Sequence, residues 1–215
     1  MELIDIFPIV MDKITGVISN KRLDVKINAS VFIDKSLKDY PYKYILEVLE
    51  TSETIKLNKV KDLMKIFRLE EEFLNKEIKD LLPYEKRLLE YLIEMSKPFK
   101  YLIIEEPFLY LDLFYKKKII KLFRLLIKNK KGIIIVSNDS NLLLEITDNM
   151  VLINNNQVII KETTINFFSN IKLLKKYKID IPILSKFTYL AKKEKIRISY
   201  HKDIRDLIKD VYKHK

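Results

Sequence analysis

The spacing of apolar residues changes along the chain and divides the sequence into blocks. In residues 41–96, apolar side chains recur three or four positions apart, most clearly in segments 43–50, 58–74 and 84–95. This spacing is typical of amphipathic helices, and Pro41 stands at the entry to the block. We therefore predict that residues 41–96 form a helical insert rather than part of a sheet.

A parallel strand-helix-strand unit is predicted after this insert. Residues 101–106 and 132–136 are short apolar runs typical of buried strands, and residues 112–128 between them repeat with a helical period. Two strands joined by a crossover helix form a parallel βαβ unit. The buried face of the helix is expected to carry Leu113, Ile120, Phe123 and Ile127.

The rest of the chain predicts a hairpin and a helical tail. Residues 149–153 and 157–161 read as strands on either side of three asparagines, residues 154–156. Asparagine tolerates the positive φ that tight hairpin turns need. From about Thr164 the pattern is helical, and it ends in the basic residues 212–215.

The first forty residues have a mixed pattern. An apolar opening at residues 3–14 precedes an alternating stretch at 23–27 and a strand-like stretch at 31–33. Together the blocks predict an α/β fold: a truncated parallel sheet, a helical subdomain and a C-terminal helical tail.

The composition supports a folded protein without disulfides. At 215 residues and 48% hydrophobic content, the chain can form one domain, or one domain with a subdomain, around a real core. The absence of Cys excludes disulfides and thiolate metal sites. Residues 1–5 are acidic where a signal peptide is basic, and no apolar run approaches the roughly 20 residues of a bilayer span. We expect a soluble or peripherally attached intracellular protein.

The net charge of +11 suggests an anionic partner, but the residue types weaken that interpretation. Lys greatly outnumbers Arg, and Ile, Asn and Lys are abundant while Gly is nearly absent, a bias that an AT-rich genome produces by itself. Solvated lysines on helix faces are therefore favoured over a specific nucleic-acid site. A position beside an anionic membrane also tolerates such charge.

Polar residues follow both predicted parallel strands. Glu105 and Glu106 end the first, and Asn138 and Asp139 follow the second. Because ligands of doubly wound sheets bind beyond the carboxyl ends of the strands, these residues are expected to share one rim. The plain alternative for the two glutamates is a solvated strand end.

The order and spacing of these segments resemble the ATP-binding-cassette (ABC) ATPase family. The segment LIIEEP at residues 102–107 resembles the family's Walker B strand with its catalytic glutamate. The segment LYLD at 109–112 resembles the D-loop, and VSND at 136–139 resembles the switch-histidine segment. The signature and its helix correspond to LLPYEKRLLEYL at 81–92.

The sequence from residue 147 onward also resembles this family. Residues 147–170 are similar to the family's hairpin and the segment after it, and residues 171–193 resemble the tail of ATPase subunits of energy-coupling-factor (ECF) transporters. The resemblance covers residues 31–193 and implies a P-loop NTPase-like fold, ATP and Mg²⁺ as cofactors, and action as a dimer.

Several family positions carry other residues here. Glu105 replaces the Walker B Asp, and its longer side chain is expected to weaken Mg²⁺ binding. The catalytic positions are Glu106, which corresponds to the residue that polarises the attacking water, and Asn138, which replaces the switch histidine and cannot exchange a proton. Asp112 matches the D-loop Asp.

The nucleotide-binding positions depart furthest from the family. Leu82, Pro83, Tyr84 and Glu85 occupy the S-G-G-Q positions of the signature, where Pro lacks an N–H, Tyr is bulky and Glu repels phosphate. The only glycines, Gly16 and Gly132, belong to no G-x-x-x-x-G-K-[ST] phosphate loop. Neither composite ATP site of a dimer is expected to be normal.

The resemblance to the ABC ATPase family also provides an alignment for the first forty residues. Residues 3–19 would correspond to the helix that follows the phosphate loop, so that the chain would begin just after that loop, and Ile33 would replace the Q-loop glutamine. This predicts a remnant of the catalytic core at 1–40, a helical signature subdomain at 41–96, a RecA-like core at 97–165 and a C-terminal helical extension at 166–215.

Three functions are open. The first is a degenerate, non-hydrolysing subunit of an ECF-type or related ABC importer, peripheral on the inner face of the cell membrane, with a second ABC ATPase and a transmembrane component as partners. It requires an apolar groove beside Tyr84. The second is an active ATPase in a heterodimer, and the third is a repurposed soluble protein that binds nucleic acid.

His201 and His214 are expected to be exposed polar residues.

Overall fold

Short runs of Ile, Val and Leu form the strands of this computed structural model, which describes residues 13–20 and 30–213. The described strands belong to a six-stranded, mostly parallel sheet in the order β2-β3-β4-β1-β5-β6. Their bounds are β1 Ile14–Ser19, β2 Ser30–Ile33, β3 Tyr101–Glu105, β4 Gly132–Val136, β5 Asn149–Asn154 and β6 Gln157–Thr163.

The helices lie where the sequence has a helical period. They are α1 Ile45–Glu50, α2 Leu57–Phe67, α3 Pro83–Ser96, α4 Leu113–Lys128, α5 Ser140–Ile146, α6 Thr164–Ser169, α7 Ile171–Lys176, α8 Ile183–Lys193 and α9 Ile204–Lys213. Short 3-10 helices cover Glu71–Asn75 and Ile78–Asp80. The α/β fold class is confirmed. Among the described helices, none combines the length and apolar character of a membrane span.

The chain divides into two compact units, and the described part of the first is residues 30–134. In this unit α3 packs on α2 and on β2, while β2 and β3 pair in parallel. The predicted helical block is confirmed, although α2 ends at Phe67 because Arg68 adopts a left-handed conformation with φ 57°. The predicted strands at β2 and β3 are also confirmed.

The described part of the second unit is residues 13–20 and 135–213. β1 pairs in parallel with β5, and β5 forms the predicted antiparallel hairpin with β6. Asn155 and Asn156 have φ values of 49° and 62°, so these two asparagines make the turn for which the sequence selects them. The helical tail is confirmed, and its last helices enclose a small core of Ala191, Ile198 and Leu207.

The alignment of residues 3–19 with a helix is wrong where the structure describes it. Residues Ile14–Ser19 form β1, and all of them except Ser19 are buried. A strand buried on both faces is a continuous apolar run, which periodicity does not separate from a buried helix. The predictions for residues 1–12, 21–29 and 214–215 lie outside the described residues.

The buried face of α4 also differs from the prediction. Ile119, Leu122 and Phe123 are buried, whereas Leu113 is 63% exposed. Of the predicted face only Phe123 is buried, because α4 carries apolar residues around much of its circumference and the sequence does not identify the side that packs.

Side chains from β5 and from α5 and its C-terminal end pack directly against Gly16 and leave little room for a Cβ atom. A Cβ atom there would lie 2.5 Å from Met150 Sδ and 3.0 Å from both Leu143 Cδ2 and Thr147 Cγ2. We expect Gly16→Ala to lower the free energy of unfolding by about 1–3 kcal/mol through overpacking, as measured by urea denaturation. In a Met150→Ala background the same substitution is expected to cost less. An equal cost in both backgrounds would show that the Met150 contact is not the cause.

Candidate functional site

The carboxyl end of β3 forms the first part of the candidate site. Glu105 is 5% exposed, and its Oε2 has no hydrogen-bond partner within the described structure. Glu106 adopts a left-handed conformation with φ 44°, and its carbonyl accepts the Leu109 N–H at 3.0 Å. Asp112 then caps α4 by accepting the Tyr115 N–H at 3.0 Å. The sequence placed these carboxylates correctly on a strand end and a helix start.

A buried arginine holds this strand end. Arg87 on α3 has no exposed surface, and its Nη2 donates to the carbonyls of Glu105 and Glu106 at 2.6 and 3.0 Å. Its Nη1 donates to Glu90 Oε2 at 3.0 Å and to the carbonyl of Asp34, just beyond β2. One guanidinium therefore fixes the ends of two parallel strands to α3.

Sequence reasoning missed Arg87. It lies one position before Leu88 and four before Tyr91, on the apolar stripe of α3. A cation on a stripe that otherwise points into the core needs buried acceptors, and that is the signal that would have identified it.

Glu90 and Tyr91, which lie close to Arg87 on α3, make further buried polar contacts near Glu105 and Glu106. Burial raises the pKa of Glu90, whereas the Lys38 N–H and the Arg87 guanidinium that bind its carboxylate lower it. Tyr91 donates to the Pro107 carbonyl at 2.7 Å, and burial raises the pKa of its hydroxyl. The backbone carbonyls of three successive residues, 105–107, therefore accept hydrogen bonds from side chains of α3.

The signature-like residues form the start of α3. Leu82 is 56% exposed and Pro83 is the first helical residue. Glu85 is buried, and its Oε2 accepts the Leu82 N–H at 3.0 Å while its Oε1 pairs with the Lys76 ammonium. This ion pair raises the pKa of Lys76. The chain's own carboxylate therefore occupies the helix end that would otherwise attract an anion.

Tyr84 lies on the side of α3 that meets α4. Its ring stacks on Tyr115 with centroids 6.1 Å apart and an interplanar angle of 26°. Burial is the main cause that raises the pKa of Tyr115, and Tyr84, Asp112 and Glu85 add to it. Leu88, Leu92 and Met95 on the same helix are buried.

The second unit carries Asn138. This residue lines a cavity of about 440 Å³ at the carboxyl ends of β1 and β5, together with Asn20, Asn154 and residues 177–180. Asp139 is occupied with capping, because its carboxylate accepts the Leu142 N–H of α5 at 3.0 Å. That Asn138 and Glu106 share one rim stays a prediction.

The expectation for His201 is wrong. Its Nε2 lies 2.9 Å from Asp210 Oδ2, and the side chain is largely shielded from solvent. Asp210 also accepts the Ser199 N–H at 2.7 Å, so this pair fastens α9 to the preceding loop. The two residues are nine positions apart across a turn, a separation outside the short spacings used to find histidine partners. His214 lies outside the described residues.

The residues present do not fit the phosphates of a nucleotide. The sequence has no G-x-x-x-x-G-K-[ST] segment, and Glu85 fills the N-terminus of α3. Within the described residues, no cluster of three His, Cys, Asp or Glu can hold a metal ion. The free Oε2 of Glu105 is one suitable oxygen for Mg²⁺, but nucleotide sites combine such a carboxylate with phosphate ligands.

We expect Arg87→Met to lower the free energy of unfolding by about 3–5 kcal/mol, because Glu90 and three carbonyls lose their buried donor. Urea denaturation measures the change. The exposed Arg124→Met is the matched control and is expected to change stability by less than about 0.5 kcal/mol.

A second substitution separates the charge from the hydrogen bonds. Adding Glu90→Leu to Arg87→Met removes the unpaired carboxylate and is expected to recover part of the loss. If Arg87→Met were as mild as Arg124→Met, the buried network would not stabilise the unit.

Comparisons with known proteins give two curated relatives. The energy-coupling factor transporter ATP-binding protein EcfA2 of Mycoplasma capricolum is 31% identical over 150 residues, which are 69% of this chain and 52% of that protein. A putative ABC transporter ATP-binding protein of Pyrococcus abyssi is 31% identical over 122 residues, or 54% of this chain and 43% of that protein. The chain spans about half the length of the relatives that it matches. No protein-family model matches it.

Solved structures match the fold at low sequence identity. An ATP-binding subunit of an ABC transporter aligns with a TM-score of 0.64 at 16% identity, covering 80% of this chain and 85% of that one. A dimeric bacterial ABC transporter cassette aligns with a TM-score of 0.58 at 13% identity, covering 74% of this chain and 88% of that one. The chain therefore belongs to the ABC ATPase family, as a homologue of its transporter ATP-binding proteins.

Proposed function

We propose that the protein is a non-hydrolysing ATPase-like subunit of an ABC importer of the ECF type or a related type. It pairs with a second, intact ABC ATPase and with a transmembrane component on the inner face of the cell membrane. Its role there is structural or regulatory. The relative named for an energy-coupling factor transporter supports this choice of importer class.

The filled N-terminus of α3 carries the proposal. In an ABC dimer this helix end faces the γ-phosphate bound by the partner chain. Here the buried carboxylate of Glu85 accepts the Leu82 N–H and pairs with Lys76, so a phosphate would meet a negative charge and an occupied donor. The site that this chain would complete for its partner does not favour ATP.

The sequence supports the loss of this chain's own nucleotide site. Backbone N–H groups of a glycine-rich loop cradle the phosphates in P-loop proteins. Neither Gly16 nor Gly132 belongs to a G-x-x-x-x-G-K-[ST] segment.

The buried contacts of Arg87 and the apolar surface beside them support a role in binding a partner protein. Arg87 keeps the end of β3 and the first turns of α3 in a fixed relation through its hydrogen bonds to the Glu105 and Glu106 carbonyls. Next to that start, the exposed Leu82 and the half-buried Tyr84 offer apolar surface to a segment of the membrane component. The helical subdomain at 41–96 would thus dock a partner while the catalytic positions remain inactive.

An active ATPase in a heterodimer is the second candidate. Its support is Glu106 beside the buried Glu105, whose Oε2 is free to take part in metal binding. This candidate requires a partner whose residues position the γ-phosphate in line with Glu106.

The two candidates differ in the effect of Glu106→Gln. We purify the tagged chain with its partners from the membranes of its own cell in mild detergent and measure ATP hydrolysis. We expect turnover by the complex to be unchanged, because this subunit positions no phosphate. The matched control replaces the catalytic glutamate of the copurified ATPase with Gln and is expected to abolish turnover. Loss of turnover with Glu106→Gln would establish the active candidate instead.

Copurification tests the assembly itself. We expect a transmembrane component and a second ABC ATPase to be recovered with the tagged chain. Leu82→Glu is expected to reduce recovery of the transmembrane component by more than about tenfold, because it places a charge on an apolar contact surface. The control Leu190→Glu changes a comparably exposed residue on α8 and is expected to have no effect. Recovery of the chain without membrane proteins would refute the proposal.

A further inference from the structure

The outer face of α4 is a stripe of exposed cations. The helix contains no acidic residue, and Lys117, Lys121, Arg124 and Lys128 lie four, three and four positions apart, so they share one exposed face. In the described part of the chain, none of the four is in an ion pair. Like charges at this spacing repel one another, and this repulsion opposes helix formation.

Helix α2 adds positive charge at the C-terminal end of this stripe. Burial lowers the pKa of Lys59, and the charges of Lys56 and Lys131 lower it further. The ring of Phe114, at the other end of α4, lies 5.6 Å from the Arg68 guanidinium at the end of α2. The two helices therefore lie side by side in opposite directions, and both bring exposed cations to the first unit's surface.

Apolar side chains flank the cationic stripe. Leu113 is 63% exposed and lies one turn before Lys117, while Leu125 is 49% exposed and lies one turn after Lys121. Phe114 is also exposed on this side of the helix. Leucine and phenylalanine beside exposed lysines are typical of helix faces that enter the headgroup region of a bilayer.

We propose that this face of α4, consisting of Lys117, Lys121, Arg124 and Lys128 with Leu113, Phe114 and Leu125, docks directly on a bilayer that contains anionic phospholipids. The lysines neutralise headgroup charge and the apolar side chains enter the interface beside them. The proposal goes beyond the proposed function, because it requires no membrane protein.

The chemistry of the face favours lipid over nucleic acid. Recognition of single strands relies on aromatic stacking platforms and arginine, whereas this stripe has three lysines to one arginine and is bordered mainly by leucine. Each basic residue near an anionic membrane strengthens binding about fivefold, so four together give a large and salt-sensitive effect.

Vesicle sedimentation of the purified full chain tests the proposal. The probes are vesicles of phosphatidylcholine alone and of an equimolar mixture of phosphatidylcholine and phosphatidylglycerol. We expect the partition coefficient to be more than about tenfold higher for the anionic vesicles and to fall with added salt. Because the vesicles contain no protein, the result does not depend on whether the chain has transporter partners.

Matched variants separate this face from the overall charge of the protein. The α4 variant is Lys117→Gln, Lys121→Gln, Arg124→Gln and Lys128→Gln combined. The control variant removes the same charge from exposed lysines of the second unit and is Lys172→Gln, Lys175→Gln, Lys186→Gln and Lys195→Gln combined. We expect the α4 variant to lose more than about tenfold in partitioning and the control to lose less than about threefold.

The apolar contribution is tested with Leu125→Gln, which changes an exposed residue and leaves the charge intact. We expect it to reduce partitioning severalfold, most clearly at high salt. Equal losses in the α4 and control variants, or no preference for anionic vesicles, would overturn the proposal. So would full competition by a short single-stranded RNA combined with no effect of Leu125→Gln, which would identify the face as a nucleic-acid site.

Discussion

A single buried guanidinium connects the parts of the first unit that correspond to family motifs. Arg87 binds the carbonyls at the end of β3, the carbonyl beyond β2 and the carboxylate of Glu90 on its own helix. Carbonyls at the ends of parallel strands have no partner in the sheet, and α3 closes over them here. Without that donor, either water must enter the core or the strand ends must separate from the helix. The positions of Glu105 and Glu106 depend on this contact.

The fold was largely predictable because periodicity and turn chemistry agree along most of the chain. The helical insert, the order β3-α4-β4 along the chain and the hairpin at Asn155 and Asn156 were predicted and are confirmed. Prediction failed at β1 and on the buried face of α4. β1 is a continuous apolar run, and α4 has apolar residues around most of its circumference outside the cationic face, so the pattern does not identify the side that packs.

The candidate site was less predictable than the fold. The sequence locates Glu105, Glu106 and Asp112 because strand and helix ends are local features. It does not reveal that Glu85 pairs with Lys76, or that Arg87 reaches the end of a strand eighteen positions away. Both interactions depend on tertiary contacts that bring Lys76 and the end of β3 to α3. The same reason explains why the partner of His201 was missed.

The carboxylate of Glu85 has a thermodynamic consequence. A ligand that binds only the folded state stabilises that state according to its concentration, so many nucleotide-binding proteins become more stable as ATP accumulates. At the start of α3 the counter-charge is covalently part of the chain, and its effective concentration never changes. The chain's own carboxylate therefore stabilises this helix end, beside Leu82, at every ligand concentration.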